Sequence, residues 1–197
     1  LLALMKRLHV YRDDMKQGRW QPRFAGGYLQ GARVLSLGMG DIGGEFAKRC
    51  ALMGAEVIGV RRRAVPPPEG IQRVAVMEEL DELLPWADVV ALSLPQPKAT
   101  IGIMDRARFE RMKQGSYLLN AGRGSAVDQE ALLWALQSGK LAGAGLDVCD
   151  PEPLPEDHPL WQEENLLLTP HISGQYFLKG TQDRIVGLIC ANIRALL

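Results

Sequence analysis

An excess of charge of either sign is the first thing that the sequence lacks. It has 23 Lys and Arg against 23 Asp and Glu, a formal net charge of zero over 197 residues. Proteins that bind nucleic acid or an anionic membrane through their overall field carry a positive excess, so we expect neither partner. No apolar run reaches the roughly 20 residues of a membrane-spanning helix, and we therefore expect no membrane segment.

Cysteine is scarce as well. Cys50, Cys149 and Cys190 are the three cysteines, and they lie far apart in the chain. An odd and widely spaced set favours reduced thiols over a disulfide framework or a metal site, so we expect a cytoplasmic protein without a metal centre. The sequence also has no internal repeat, low-complexity tract or recognisable signal peptide. Because it begins with Leu rather than Met, we expect a fragment of a longer protein.

The most informative stretch is an apolar run that ends at a set of glycines. Residues 34–37 predict a buried strand, a helical pattern follows the glycines, and a second apolar run covers residues 56–60. In a G-x-G-x-x-G turn of this kind, Gly38 makes the tight turn, Gly40 lets the backbone approach a pyrophosphate, and Gly43 lets the helix pack closely. The helix N-terminus then favours the phosphates. The coenzyme contacts predicted here are Gly38, Gly40, Asp41, Ile42 and Gly43; a glycine turn without a ligand is the alternative.

Strands alternate with helices along the whole chain. The predicted helices cover residues 1–17, 45–53, 77–84, 105–112, 128–138 and 176–197, and the later strands cover 88–94, 117–120, 142–148 and 166–169. Such alternation implies parallel strands with right-handed crossovers, and continuous apolar strands imply a sheet covered on both faces. The predicted fold class is therefore α/β, a doubly wound parallel sheet of Rossmann type.

Two parts of the chain have separate expected roles. We expect residues 1–30 to form a linking helix and a lead-in segment, and residues 31–197 to form the dinucleotide-binding domain. The first helix either lies on the domain or packs on a partner chain, and we expect Trp20 to pack on the next unit. We interpret Trp134 and Trp161 as packing groups rather than site residues.

A run of arginines stands where the coenzyme's ribose is usually bound. In this fold an acid about twenty residues after the glycines binds the ribose hydroxyls, but here Arg61, Arg62 and Arg63 occupy that place. A guanidinium group binds phosphate through two parallel hydrogen bonds. Because only NADP(H) carries a 2′-phosphate on this ribose, Arg61 and Arg62 predict NADP(H) in preference to NAD(H). A solvated basic loop is the alternative.

Three motifs late in the chain carry a family resemblance. They are Asn120-Ala121-Gly122-Arg123-Gly124, Asp147-Val148-Cys149-Asp150-Pro151-Glu152-Pro153-Leu154 and Thr169-Pro170-His171-Ile172-Ser173-Gly174. Together with the glycine turn, and in this order, they resemble the D-isomer-specific 2-hydroxyacid dehydrogenases, among which the glyoxylate/hydroxypyruvate reductases are most similar. The resemblance extends over residues 31–173, which is most of the chain.

The resemblance implies a role for each site residue. Arg123 binds the carboxylate and keto oxygen of the substrate, His171 is the acid/base, and Glu152 pairs with His171. These residue types suit the reduction of a 2-keto acid, because a cation stabilises the developing alkoxide and histidine donates and recovers a proton near neutral pH. The implied coenzyme contacts near the nicotinamide are Pro95, Ala121, Asp147 and Gly174. A surface charge, a solvated acidic loop and a structural histidine are the respective alternatives for Arg123, Glu152 and His171.

The resemblance also implies what the chain lacks. Members of the family build a second, substrate-side domain from sequence that is absent here, so we expect a single coenzyme-binding domain with weak or no turnover of its own. The family is usually dimeric, and we expect a homodimer that acts on a small 2-keto or 2-hydroxy acid. A non-catalytic NAD(P) sensor like the related corepressors and a phosphite dehydrogenase-like enzyme are alternatives, whereas formate dehydrogenases have glutamine in place of Glu152.

Overall fold

The computed structural model describes residues 1–23, 26–63, 65–174 and 178–196. The strands are β1 (Arg33–Leu37), β2 (Glu56–Arg61), β3 (Arg73–Val76), β4 (Val89–Leu92), β5 (Ser116–Asn120), β6 (Leu141–Leu146) and β7 (Leu166–Leu168). The helices are α1 (Leu2–Met5), α2 (Leu8–Lys16), α3 (Asp41–Leu52), α4 (Leu80–Leu83), α5 (Arg106–Arg111), α6 (Gln129–Gln137) and α7 (Lys179–Leu196). The expected ends of the last helix, Tyr176 and Leu197, lie outside the described residues.

The strands form one parallel sheet in the order β3-β2-β1-β4-β5-β6-β7. The chain winds outward from β1 to β3, returns to the centre, and winds outward again from β4 to β7. The predicted doubly wound α/β fold is thus confirmed. In such a sheet, ligands bind outside the carboxyl ends of the strands where the winding reverses, which here is between β1 and β4.

The sheet is covered on both faces by apolar side chains. Neighbouring residues of a strand point to opposite faces, and accordingly Val34 packs with α1 and α3 on one face while Leu35 packs with α4, α5 and α6 on the other. Both side chains are fully buried. This two-sided burial explains why β1 is a continuous apolar run, because an alternating strand would place polar groups in one of the two layers.

The glycine turn joins β1 to α3 without room for side chains. Gly38 has a φ of +94°, in the left-handed region that favours glycine. A Cβ on Gly43 would lie 1.7 Å from the carbonyl oxygen of Gly38, and a Cβ on Gly38 would lie 2.6 Å from that of Ser93. The buried Ser36 hydroxyl also donates to the Gly43 carbonyl at 3.2 Å. The turn therefore touches both α3 and the loop that follows β4.

The predicted single helix over residues 1–17 is wrong. Arg7 has a φ of +53° and separates α1 from α2. Its guanidinium donates to the Glu164 carboxylate at 3.1 Å, while Leu4 reaches the sheet over Gly143, where a Cβ would come within 2.9 Å of the Leu4 side chain. The break lets the short α1 pack on β6 while α2 continues in another direction.

The lead-in segment also differs from expectation. Trp20 does not pack on the next unit, since it is 97% exposed. The segment is instead fixed by charge: Asp14, only 2% exposed, pairs with Arg19 at 2.7 Å and with Arg23 at 2.9 Å. These two hydrogen-bonded guanidinium groups hold the pKa of Asp14 below its usual value. Buried charge of this kind is retained only where it is paired.

Two further features concern the helices. Asp105 caps α5, since its carboxylate accepts from the Arg108 amide at 2.9 Å. Within the described part of the chain, no helix combines the length and the apolar character needed to cross a membrane.

The contact between Gly43 and Gly38 can be tested by adding a methyl group. We expect Gly43→Ala to lower the free energy of unfolding by about 1–3 kcal/mol or more, because the new Cβ overlaps the Gly38 carbonyl. Gly44→Ala is the matched control: its Cβ would find only the Met39 oxygen, at 3.9 Å, so the better helix former should add about 0.5–1 kcal/mol. Urea unfolding measures both, and equal stability of the two variants would contradict the close packing.

Candidate active site

The glycine turn and the loop after β4 enclose a cavity of about 650 Å³. It lies at the carboxyl ends of the two central strands, where the winding of the sheet reverses. Five of the predicted coenzyme contacts line it together, namely Gly38, Gly40, Arg61, Arg62 and Pro95. Backbone from the turn, two cations and an apolar proline ring thus surround one space.

The arginine run lies at the mouth of this cavity. Arg61 ends β2, and all three arginines are exposed and line a smaller recess of about 290 Å³ beside it. Within the described residues, no carboxylate forms a salt bridge with Arg61, Arg62 or Arg63. Their guanidinium groups are therefore available to an external anion.

A buried hydroxyl holds the loop that carries Pro95. Thr100 is buried, and its Oγ1 lies 2.8 Å from the carbonyl oxygen of Pro95 and 3.0 Å from that of Pro97. Sequence reasoning did not single out Thr100, although a threonine just after two closely spaced prolines is one signal of a hydrogen-bonded turn.

Arg123 projects from a loop fixed by the last residue of β5. Asn120 is 2% exposed, and its side-chain amide donates to the Arg123 carbonyl at 2.9 Å and accepts from the Gly122 amide at 3.0 Å. A Cβ on Gly122 would lie 2.7 Å from the backbone of Leu94, and one on Gly124 would lie 1.9 Å from the Cys149 oxygen. The loop that carries Arg123 therefore packs directly against the loop after β4 on one side and the loop after β6 on the other.

Asn120 was also missed by the sequence reasoning. The signal that was available is a polar residue at the carboxyl end of an apolar strand, where ligand loops begin. The exposed Arg123 guanidinium donates to the Gly122 carbonyl at 2.7 Å.

Glu152 and His171 are in contact. The His171 Nδ1 lies 2.7 Å from the Glu152 Oε1, and both side chains are about half exposed. A carboxylate on Nδ1 fixes the orientation of the ring and leaves Nε2 for proton transfer. His171 has a φ of +52°, an uncommon backbone conformation for a side chain of this size. Its amide donates to the Asp147 carbonyl at 2.8 Å, so the strained residue is tied to the end of β6.

Asp147 braces the loop that carries the histidine. Its buried carboxylate accepts from the Thr169 hydroxyl at 2.6 Å and from the amides of Ile172 and Ser173 at 2.9 Å each. Burial alone would raise the pKa of Asp147, but the hydrogen bonds from Ser173, Thr169 and Ile172 outweigh it and hold the pKa below its usual value. The coenzyme contact expected for Asp147 stays a prediction.

The three late motifs meet at one edge of the sheet. The Asp147 amide donates to the Asn120 carbonyl at 2.9 Å, and the Thr169 amide donates to the Leu146 carbonyl at 2.9 Å. The loops that carry Arg123, Glu152 and His171 therefore follow three adjacent strands at their carboxyl ends.

A second cavity, of about 600 Å³, adjoins the contact between Glu152 and His171. Glu152, His171 and Trp161 line it with several apolar residues. Trp161 is half exposed and donates from its indole nitrogen to the Pro155 carbonyl at 2.8 Å. Trp161 thus borders the cavity beside His171, and its interpretation as a packing group rather than a site residue stays a prediction. Trp134, by contrast, packs against the core, with the Arg106 guanidinium 3.3 Å from its ring centre.

The remaining predicted contacts lie at the same edge. Asp41 and Ile42 are exposed on the first turn of α3, and Gly174 is exposed after the histidine loop. The Ala121 amide donates to the Leu92 carbonyl at 3.0 Å, which joins the start of the arginine loop to the end of β4. Their predicted contacts with a coenzyme stay predictions.

Comparison with known proteins identifies the family. Residues 1–173 match the model of the D-isomer specific 2-hydroxyacid dehydrogenase, NAD binding domain. The chain belongs to this family. The resemblance inferred from the glycine turn and the three late motifs is therefore confirmed, as is a domain that binds a nicotinamide dinucleotide.

Individual relatives extend the comparison. A glyoxylate reductase of Thermofilum pendens is 33% identical over the whole chain, which spans 59% of that protein. A crystal structure of phosphoglycerate dehydrogenase from Lactobacillus plantarum has a TM-score of 0.84 at 32% identity over 98% of this chain and 62% of that one. A family member from Xanthobacter autotrophicus, in complex with NADPH and MES, has a TM-score of 0.75 at 34% identity over 87% and 54%. This chain thus spans less than two thirds of each of these three relatives.

The bracing role of Asp147 predicts an acid dependence of stability. The folded pKa lies below the unfolded value of about 3.9, so its contribution is complete above that pH and is lost as the pH falls through the folded pKa. We expect Asp147→Asn to lower the free energy of unfolding at pH 7 by about 1–3 kcal/mol and to flatten its decline in acid. Urea unfolding from pH 7 to pH 3 measures this.

The control for Asp147 is Asp157→Asn, the same change in an exposed loop. It should leave both the stability at pH 7 and the acid limb close to those of the unmodified protein. If Asp147→Asn behaved in the same way as Asp157→Asn, the carboxylate would not brace the loop.

Proposed function

We propose that the protein containing this chain transfers a hydride between NADP(H) and a small 2-keto or 2-hydroxy acid. The observation that carries the proposal is the 2.7 Å contact between His171 and Glu152, on loops adjacent to the one that carries Arg123. A cation and a carboxylate-oriented imidazole at the coenzyme edge are what reduction of a carbonyl requires. Family membership supports the same reaction class, and the comparisons do not favour the corepressor-like or phosphite dehydrogenase-like alternatives.

The residues of the glycine turn fit a bound dinucleotide. A Cβ on Gly40 would meet no atom within 4 Å. The backbone of Gly40 therefore faces open space, which a pyrophosphate could occupy. Arg61 and Arg62 would then hold a 2′-phosphate, which favours NADP(H). The bound nicotinamide supplies or accepts the hydride.

The protein's own residues would then manage the substrate and the proton. Arg123 would bind the carboxylate of the substrate through two hydrogen bonds and stabilise the keto oxygen, which becomes negative during reduction. His171 donates a proton from Nε2 to that oxygen during reduction and recovers it during oxidation. Glu152 holds the ring through Nδ1 throughout.

A small 2-keto acid fits the roles proposed for these residues. Its carboxylate and keto oxygen are the groups that Arg123 would hold, and its keto oxygen is the atom that His171 would protonate. We therefore favour glyoxylate, hydroxypyruvate or a similar small 2-keto acid, which agrees with the name of the Thermofilum pendens relative.

The remaining expectations about organisation are also proposals. We retain a linking helix and lead-in segment over residues 1–30, a coenzyme-binding domain from residue 31 onward, and a cytoplasmic location. A homodimer is supported by exposed apolar side chains at Leu8, Met15 and Trp20, which a second copy would cover.

The acid/base assignment is tested by His171→Gln in the full-length protein. We expect kcat to fall by about 10²–10⁴-fold with glyoxylate or hydroxypyruvate, because proton transfer is lost. The affinity for NADPH should not change, since the ring does not bind the phosphates. The absorbance of the reduced coenzyme reports turnover, and its fluorescence reports binding. His158→Gln is the control with unchanged activity, and a fully active His171→Gln would remove the assignment.

Coenzyme preference is tested at Arg61. We expect Arg61→Gln to weaken NADPH binding by about tenfold or more, through loss of a hydrogen bond to a charged group, and to leave NADH binding unchanged. Arg73→Gln is the control. Arg61 lies beside Val76, the last residue of β3, whereas Arg73 is the first residue of that strand and pairs with Glu79 at 2.7 Å. Titration by fluorescence measures both coenzymes, and tighter binding of NADH than NADPH by the unmodified protein would contradict the preference.

A further inference from the structure

A cation from the last helix lines a cavity beside the glycine turn. Arg184 lies on α7, beyond residue 173, where the match to the family model ends. It lines a cavity of about 630 Å³ together with Gly40, Asp41 and Arg61. The end of the chain thus supplies a guanidinium group beside the first turn of α3.

The glycine turn itself carries a charge that opposes a bound phosphate. Asp41 is exposed at the first position of α3, directly after Gly40. A carboxylate is favoured at an empty helix N-terminus, but a pyrophosphate placed there would compete with it and repel it. Within the described residues, Asp41 forms no salt bridge with a side chain that would neutralise it.

Three cations line this cavity, and two of them have other tasks. Lys48 pairs with Glu45 at 3.4 Å, one turn further along α3. Arg61 also lines the recess assigned to the 2′-phosphate. Arg184 has no salt bridge in the described part of the chain, so it is the cation available to offset Asp41.

The helix that carries Arg184 is weakly attached to the domain. None of the described residues of α7 is buried, and Leu188 and Ile189 are more than half exposed. Within this chain, apolar packing therefore contributes little to the position of α7. An anion held between the glycine turn and Arg184 would add an attachment.

We propose that Arg184 is a phosphate-binding residue of the coenzyme site, which offsets the charge of Asp41 and ties α7 to the glycine turn when the coenzyme binds. The inference depends on the proposed function, because the anion is the coenzyme's pyrophosphate. The pyrophosphate is common to NADPH and NADH, so Arg184 acts on both coenzymes, whereas Arg61 acts on NADPH alone.

The test is the affinity of Arg184→Gln in the full-length protein for NADPH and for NADH. We expect both dissociation constants to rise about tenfold, the effect of losing a hydrogen bond between charged groups. Arg194→Gln is the matched control, since it removes the same charge from the last turn of α7 without touching the cavity. Combining Arg184→Gln with Asp41→Asn should restore most of the affinity, because the two charges are coupled.

A second readout follows the helix itself. Hydrogen exchange of residues 179–196 should slow when NADPH is added to the unmodified protein and to Arg194→Gln, but not in Arg184→Gln. Equal affinities of Arg184→Gln and Arg194→Gln, or a loss confined to NADPH, would overturn the inference. Failure of the unmodified protein to bind either coenzyme would instead overturn the proposed function, and this inference with it.

Discussion

Backbone-to-backbone contact at the carboxyl edge of the sheet is the constraint on which the rest of the site depends. The turn after β1 touches the loop after β4, that loop touches the loop after β5, and this last one touches the loop after β6. At Gly38, Gly122 and Gly124 an added Cβ would fall within 2.7 Å of the backbone of the neighbouring loop. Glycine is required at these points because any side chain would separate the loops. The spacing of the residues proposed to hold the coenzyme and the substrate is therefore set by the main chain.

Buried polar side chains then hold the loops that these contacts bring together. Asn120 fixes the arginine loop, Asp147 fixes the histidine loop, and Thr100 fixes the proline loop. Each is buried and hydrogen-bonded to backbone in a loop that leaves the sheet. Such groups are costly to leave unpaired, so the loop conformations are strongly specified. The exposed groups that perform the proposed chemistry, Arg123 and His171, stand on these fixed supports.

Much of this arrangement can be predicted from the sequence, and the exceptions have physical reasons. A strand buried on both faces is a continuous apolar run, which is why residues 34–37 are recognisable. The strand β3 was not predicted from the sequence, because this edge strand has only four residues and is only partly buried. At the break between α1 and α2, the side-chain partner of Arg7 is Glu164, which is 157 positions away in the chain, and local periodicity carries no information about such a contact. The family resemblance implied roles for Arg123, Glu152 and His171, but none for Asn120 or Thr100, whose partners are backbone groups oriented only in the folded loops.

The central claim is that a nicotinamide coenzyme lies across this edge, with its adenosine end at the arginines and its nicotinamide facing Arg123 and His171. A crystal structure of the protein with NADP⁺ tests it most directly. The account predicts density for the 2′-phosphate at Arg61 and Arg62, and a nicotinamide ring between Pro95 and the His171 loop. A coenzyme bound elsewhere, or one whose nicotinamide points away from Arg123 and His171, would contradict it.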